Sequence, residues 1–444
     1  MGSLGAAILE PMPSSTDAPA RERSSRRGSR GRPDDARPAV PRAAWTRLAA
    51  CTAAAALLQL DGTLITVALP RVASGLHVSG STTSVVLSAY FGAYALLLIP
   101  GGELVDRLGA RRLALTGLTL FAIGAIAGAL SQTFAELILA RVVQGAGAGL
   151  VSPAALAGAV SGFPPERRGA ALGIWGASAG TSNLVGPLLG GLLTVTLGWR
   201  ADWWALVPLT AAAALAVARA VPPNLHPATD PVSGPGARQA GRAGAESHRI
   251  VAAATLIAAL TFAVMIGAFY IAEQYLQRTA HFSALGASSA LVIVALLVGG
   301  AAPLAGRLVD ARGERPATVL GFIGAGVGLL VLGIPGVPLS NLLTILPLIP
   351  VGLGLGMLFV PVSRAALNAT PEASHGRTSA LLSVGRLLGA AVGAGLAGVA
   401  LSGALTADVV HHTLLIAAGV CLIIGLPGAL CLRAGDAGAA PAAA

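Results

Sequence analysis

Between about residues 44 and 433 the chain alternates long apolar stretches with short polar breaks that carry arginine. A helix of about 20 residues crosses the hydrocarbon of a bilayer. Backbone polar groups in lipid must be satisfied within the segment, so each apolar stretch is expected to be a helix. Twelve are read, at 44–69, 84–102, 113–131, 134–158, 168–193, 204–221, 250–273, 285–306, 317–336, 341–363, 378–402 and 410–432. A polar stretch at 222–249, with Pro222, Pro223, Pro227, Pro231 and Pro235, parts them six and six. The expected organisation is a disordered cytoplasmic tail (1–43), a six-helix bundle (44–221), a cytoplasmic linker (222–249), a second six-helix bundle (250–433) and a cytoplasmic tail (434–444). The first 43 residues are rich in Arg, Ser and Pro, with no apolar run near Met1, so no cleavable signal is read there.

Composition agrees with a membrane reading. Of 444 residues, 55% are hydrophobic and 11% charged, with mean hydropathy +0.76. A soluble domain is nearer a quarter charged, which argues against a soluble enzyme. The net charge is +10, and all 29 basic residues are arginine. Their placement points to membrane orientation rather than nucleic acid. With the first tail inside, inner loops hold 15 arginines and outer loops hold three, Arg71, Arg200 and Arg278. That asymmetry places both termini in the cytoplasm of a multi-pass protein of the cell membrane. Cys51, Cys421 and Cys431 lie in or near apolar segments without metal-like spacing, and the histidines near the outer ends are scattered, so no metal site is expected.

The halves repeat. Gly102-Glu103-Leu104-Val105-Asp106-Arg107-Leu108-Gly109-Ala110-Arg111 matches Gly306-Arg307-Leu308-Val309-Asp310-Ala311-Arg312-Gly313-Glu314-Arg315 at an offset of 204. Both segments follow the second helix of their half. Many secondary transporters are built from such duplicated halves, with the substrate site between them near the midplane.

Four helices carry further patterns. The fourth has Leu137, Arg141, Gln144, Gly145 and Gly147. An arginine inside a membrane helix costs about 3 kcal/mol or more, so Arg141 should face protein or water. The fifth has Gly173, Gly186, Pro187, Gly190 and Gly191, with Ser182 among them. Proline bends a helix and glycines permit close helix approach. The first has Leu60-Asp61-Gly62-Thr63 running on to Val67-Ala68-Leu69-Pro70. Asp61 lies 14 residues beyond Arg47, about 21 Å along a helix and past the midplane of the bilayer. It is the only carboxylate read well inside any of the twelve spans. The eleventh has Arg386 in a run of glycines at four-residue spacing, Gly385, Gly389 and Gly393, which reads as a packing face.

These residues resemble the major facilitator superfamily, and within it the drug/proton antiporters, over about 44–433. The resemblance implies two pseudo-symmetric six-helix bundles and alternating access. It implies that the loop of Gly102, Asp106, Arg107, Gly109 and Arg111, with Gly306, Asp310 and Gly313 in its repeat, latches the halves in one access state. Ala110 departs from the family's usual basic residue, and Ser182 from a usual glycine. The fifth-helix glycines and Pro187 are implied to favour export. Arg141 is implied to take part in proton coupling, and Asp61 is the carboxylate expected to bind the proton. A static partnership of Asp61 with Arg141 is the competing reading. Gln144, Trp175, Arg386 and Glu273 are candidates for a substrate cavity. Glu273 is expected near the outer surface, where an interfacial role competes. Trp199, Trp203 and Trp204, with Arg200 and Asp202, read as an outer interfacial belt.

Without lysine there is no Gly-x-x-x-x-Gly-Lys-Ser/Thr nucleotide loop, and no catalytic constellation is visible. The expectation is a non-enzymatic monomer with no cofactor, which uses the proton gradient to export small amphipathic molecules such as drugs or antibiotics. Export of a native metabolite, amino acid or lipid is the alternative, and nutrient import a weaker one.

Overall fold

The structure, a computed structural model, describes residues 40–223, 225, 241–335, 345–370, 375–402 and 406–432. Most of the expected tails and residues 224 and 226–240 of the expected 222–249 linker lie outside the described residues; residues 241–249 of that linker are not linker but the first turns of a helix that runs on into the apolar stretch. Each of the twelve expected apolar stretches is a helix. They are α1 (Arg42–Gly75), α2 (Ser84–Leu108), α3 (Ala110–Leu130), α4 (Phe134–Val160), α5 (Pro165–Thr196), α6 (Arg200–Ala220), α7 (Gly241–Arg278), α8 (Ala284–Arg312), α9 (Glu314–Leu332), α10 (Ile345–Asn368), α11 (His375–Ala400) and α12 (Ala407–Gly419). After α12 the chain passes through a π-helical turn (Val420–Gly425) into a last short helix, α13 (Leu426–Leu430). Among the described residues, eleven helices are long and apolar enough to cross a membrane; in α5, Val185–Thr196 forms a shorter apolar stretch. Large apolar side chains such as Leu96, Leu139, Val399, Ile416 and Ile423 stand exposed. Such a surface suits hydrocarbon rather than water.

Most helices outrun their apolar stretches, and at two places this changes the sequence reading. The segment expected as a loop from Gly102 is helix through Leu108, and α3 begins at Ala110. Gly109 alone makes the turn, at φ 80°, and Gly313 makes the equivalent turn of the repeat at φ 80°. Only glycine adopts that backbone without strain. At Gly102 and Gly306 a side chain would meet nothing within 4 Å, so neither turn nor packing requires glycine there. The second place is α7, expected to end at 273. It runs on to Arg278, where Gln277 is bonded to Glu273 and to the Val67 carbonyl inside the bundle.

The two halves pack alike. In the first, α1 lies against α4, α5 and α6, and α3 against α4 and α6, with α2 on α4. In the second, α7 lies against α10, α11 and α12, and α9 against α10 and α12, with α8 on α10. Adding six to each label turns one set into the other. The contacts between halves, α2 with α11 and α5 with α8, exchange under the same operation. Glycines set the closest approaches. A side chain on Gly117 of α3 would lie 2.7 Å from the Gly147 carbonyl of α4. Gly321 of α9, at the 204 offset from Gly117, comes 3.0 Å from the Gly354 carbonyl of α10 in the same way.

One end of the bundle carries Arg107, Arg111, Arg112, Arg312 and Arg315, and is called here the arginine-rich end. There Asp310 of α8 pairs with Arg364 of α10, and Asn368 Nδ2 donates to Glu314 Oε1 at 2.8 Å. At the opposite end side chains cap three helices: Thr133 and Glu136 form a reciprocal capping box on α4, Ser283 caps α8 and Thr406 caps α12.

Candidate functional site

Asp61 of α1 and Arg141 of α4 are both fully buried and joined. Arg141 Nη1 donates to Asp61 Oδ1 at 2.9 Å and to Oδ2 at 2.8 Å. Gln144, one turn further along α4, donates from Nε2 to Asp61 Oδ1 at 3.1 Å and accepts from Arg141 Nη1 at 2.9 Å. Residues three apart share a helix face, so the spacing already places Gln144 beside Arg141. Arg141 Nε donates to the Val86 carbonyl of α2 at 3.2 Å, and its guanidinium lies 4.2 Å from the centre of the Tyr90 ring, within cation–π range. Tyr90 Oη donates to the Leu58 carbonyl of α1 at 2.9 Å.

Asp61 thus accepts from arginine and amide donors, the environment of an ionised carboxylate. Arg141 Nη2 is buried with no hydrogen-bond partner among the described residues. The donors around Asp61 nevertheless suit only its ionised form, in which both oxygens accept. Removing one partner of a buried pair strands the other and costs about 3–5 kcal/mol.

The fifth-helix motif lies directly behind Asp61. Ser182, Gly186 and Gly190, four residues apart, form one face of α5 against α1. Ser182 Oγ donates to the Ala56 carbonyl at 2.9 Å. A side chain on Gly186 would lie 2.0 Å from Thr63 Oγ1, and one on Gly190 2.3 Å from the Leu64 carbonyl. Pro187 and Gly191 are buried as well. The stripe lets α5 touch the backbone of the turns that flank Asp61. The surroundings of Gly173 lie outside the described residues. Gly145 and Gly147 do the same for α4, where side chains would lie 2.3 Å from the Tyr90 carbonyl and 2.6 Å from the Gly117 carbonyl.

The cavity candidates separate. Gln144 belongs to the ion-pair network. Trp175 is half-buried on α5. Arg386 donates from Nη2 to Ser363 Oγ of α10 at 2.9 Å, with the Phe262 and Phe359 rings 6.0 and 5.8 Å away. Glu273 corrects two expectations. It is fully buried rather than interfacial, and Asp61 is not the only carboxylate inside the bundle. The continuation of α7 draws it in: Gln277 Nε2 donates to Glu273 Oε1 at 2.5 Å and to the Val67 carbonyl of α1 at 2.9 Å. The tryptophan belt is corrected too. Trp199, Trp203 and Asp202 are buried, and only Trp204 of the three rings is well exposed, because Gly75 and Gly128 leave room for the indoles of Trp199 and Trp203.

Among the described residues no three of His, Cys, Asp and Glu converge as metal ligands. Further hydrogen bonds cross between α1–α6 and α7–α12 at the end opposite the arginine-rich one. Tyr270 Oη donates to the Gly80 carbonyl at 2.8 Å and lies 2.9 Å from Thr83 Oγ1. Ser88 Oγ donates to the Ala391 carbonyl at 2.8 Å.

Comparison with known proteins agrees with this architecture. A family model described as Major Facilitator Superfamily matches residues 51–394. The puromycin resistance protein of Streptomyces alboniger is 28% identical over 83% of this chain and 84% of its own length. A multidrug resistance protein B homolog of Mycobacterium tuberculosis is 28% identical over 90% of this chain and 84% of its own. The tetracenomycin C resistance and export protein of Streptomyces glaucescens is 35% identical over 43% of this chain, and the match spans only 33% of that protein's length.

Proposed function

The chain belongs to the major facilitator superfamily, and from that membership we propose that it is a proton-coupled exporter of small amphipathic molecules, drugs or antibiotics among them, working by alternating access. One observation carries the coupling: the sealed Asp61–Arg141–Gln144 network, built against the glycine and serine face of α5. Resistance and export in the names of related proteins favour drug-like cargo over a native metabolite.

The arginine bias supports an orientation with both termini cytoplasmic in the cell membrane. The end opposite the arginine-rich one is then external. The bonds of Tyr270, Gln277 and Ser88 between the halves favour an externally closed state with Asp61 ionised. From an outward-open state, Asp61 takes a proton from outside and Arg141 loses its partner. Arg141 then needs a new arrangement, and that requirement biases the bundle toward its other access state. A ligand shifts such an equilibrium only by its differential affinity for the two states. Release of the proton to the cytoplasm restores the pair and readies the protein for new cargo. Asp106 and its neighbours, with Asp310, lie at the cytoplasmic ends of α2 and α8, where a latch between access states would act.

Asp61→Asn tests the reading. The amide keeps the size of the side chain but carries no charge, exchanges no proton and replaces one of the two oxygens that accept from Arg141 by a donor. Efflux of a cationic dye from energised cells should fall to the level of empty-vector cells, with membrane levels of the protein unchanged. Undiminished efflux would remove Asp61 from the mechanism.

A further inference from the structure

Where α7 meets α1 at the end taken as external, Glu273 and Gln274 are both fully buried. Glu273 Oε2 and both amide atoms of Gln274 have no hydrogen-bond partner among the described residues. Among the described residues no counterion reaches Glu273. On α1, Asp61 pairs with Arg141, and Arg71 Nη1 donates to the Thr194 carbonyl at 2.6 Å. Arg386 of α11 is bonded to Ser363, and His411 of α12 to the Leu332 carbonyl. Asp408 of α12, itself an acid, offers no positive charge, and α8 and α10 bring their charged groups, Arg307, Asp310 and Arg312 of α8 and Arg364 of α10, to the arginine-rich end. Arg278 of α7 itself lies five residues on, about 140° around the helix, with its guanidinium against Gly80.

A buried carboxylate with one amide donor and no counterion is heavily disfavoured as an anion. As a neutral acid it escapes the cost of a buried charge, and leaves only one hydroxyl without an acceptor among the described residues. The same Gln277 amide that holds Glu273 also holds the Val67 carbonyl, so the site sits on a bond between the two halves. We propose that Glu273, with Gln274 and Gln277, is a second proton-binding site, which takes a proton from the external side as α7 closes on α1 and returns it to that side on opening. The inference rests on the alternating-access reading and on the external placement of this end. In the closed structure the site is sealed, so its proton is not carried across. It makes closing of the external face sensitive to external pH without adding to the protons moved per cargo. Protonation linked to closing favours the closed face as external pH falls.

Ser84 provides a reporter. It is 3% exposed, and a side chain on Gly398 of α11 would lie 1.8 Å from its Oγ, so it becomes accessible only when the face opens. In a chain with Cys51, Cys421 and Cys431 replaced by Ala, Ser84→Cys is labelled in right-side-out vesicles with a membrane-impermeant maleimide. External pH is varied between about 6 and 8, and each rate is taken relative to the unfolded chain at the same pH. With Glu273 intact, labelling should rise with pH, by up to about tenfold per unit. In Glu273→Gln, the neutral stand-in, it should be lower and lose most of its rise with pH, keeping only the part that Asp61 contributes; in Glu273→Asp the full dependence should persist. Asp61→Asn, measured in parallel, should lose transport and, as a neutral stand-in that leaves Arg141 unpaired, lower the labelling overall, but the rise with pH carried by Glu273 should remain. An unchanged profile in Glu273→Gln overturns the proposal. So does a profile that survives Glu273→Gln but disappears in Asp61→Asn. Transport by Asp61→Asn speaks only to the exporter reading, so the two ideas fail separately.

Discussion

Arg141 spends its hydrogen bonds on three helices: its own, through Gln144, α1 through Asp61 and α2 through the Val86 carbonyl. Lysine keeps the charge but lacks the planar fork that reaches Asp61, Gln144 and Val86 together. Arg141→Lys should therefore reduce proton-driven transport at least tenfold while the protein still reaches the membrane, read by initial rates in inverted vesicles. Wild-type rates would show that charge alone suffices. The sequence made Asp61 and Arg141 conspicuous because charge inside an apolar run is costly. Their pairing was one of two readings left open there, since eighty residues separate them and only packing of α1 on α4 joins them. The Tyr90 ring under Arg141 left no signal beyond an ordinary aromatic in a helix. The burial of Glu273 was not legible because the apolar run ends beside it, whereas the helix continues for another five residues with Gln277 bonded inside the bundle.

At the level of helices, α5 works through what it lacks. Ser182, Gly186 and Gly190 bring it onto the backbone of α1 beside Asp61. Overpacking a tight contact costs about 1–3 kcal/mol. Gly190→Ala, whose new carbon would lie 2.3 Å from the Leu64 carbonyl, should lower the detergent melting temperature by several degrees and depress transport. Gly102→Ala should leave the melting temperature unchanged or slightly raised, because nothing lies within 4 Å and alanine favours helix. Equal melting temperatures for the two would contradict this account of the stripe. Gly109→Ala, forced to φ 80°, should cost about 1–2 kcal/mol in the same melts. The sequence located this turn but not its extent. Apolar length marks where a helix leaves lipid, and says little of how far it continues into water, as the ends at Leu108 and Arg312 show.

Across the whole molecule, twofold packing contrasts with one-sided chemistry. At the 204 offset, Met265 and Ile345 stand where the first half has Asp61 and Arg141. The second half shares the packing, with Glu273 as its only fully buried carboxylate among the described residues. The twelve helices, the repeat and the six-and-six split were legible early because the bilayer imposes length and arginine bias directly. The proposed orientation, with the arginine-rich end inside, rests on that bias and can be checked with native chemistry. Cys431 is exposed near the arginine-rich end, whereas Cys51 and Cys421 are buried. An impermeant maleimide should spare intact cells and label Cys431 in inverted vesicles; labelling of intact cells would reverse the orientation.

The most direct test reconstitutes the purified protein in sealed liposomes, imposes a pH difference, and follows cargo and protons together. The account predicts uphill cargo movement opposed to proton flow, abolished by collapsing the gradient and absent in Asp61→Asn. Uphill movement with no pH difference, or proton-coupled movement that survives Asp61→Asn, would contradict it.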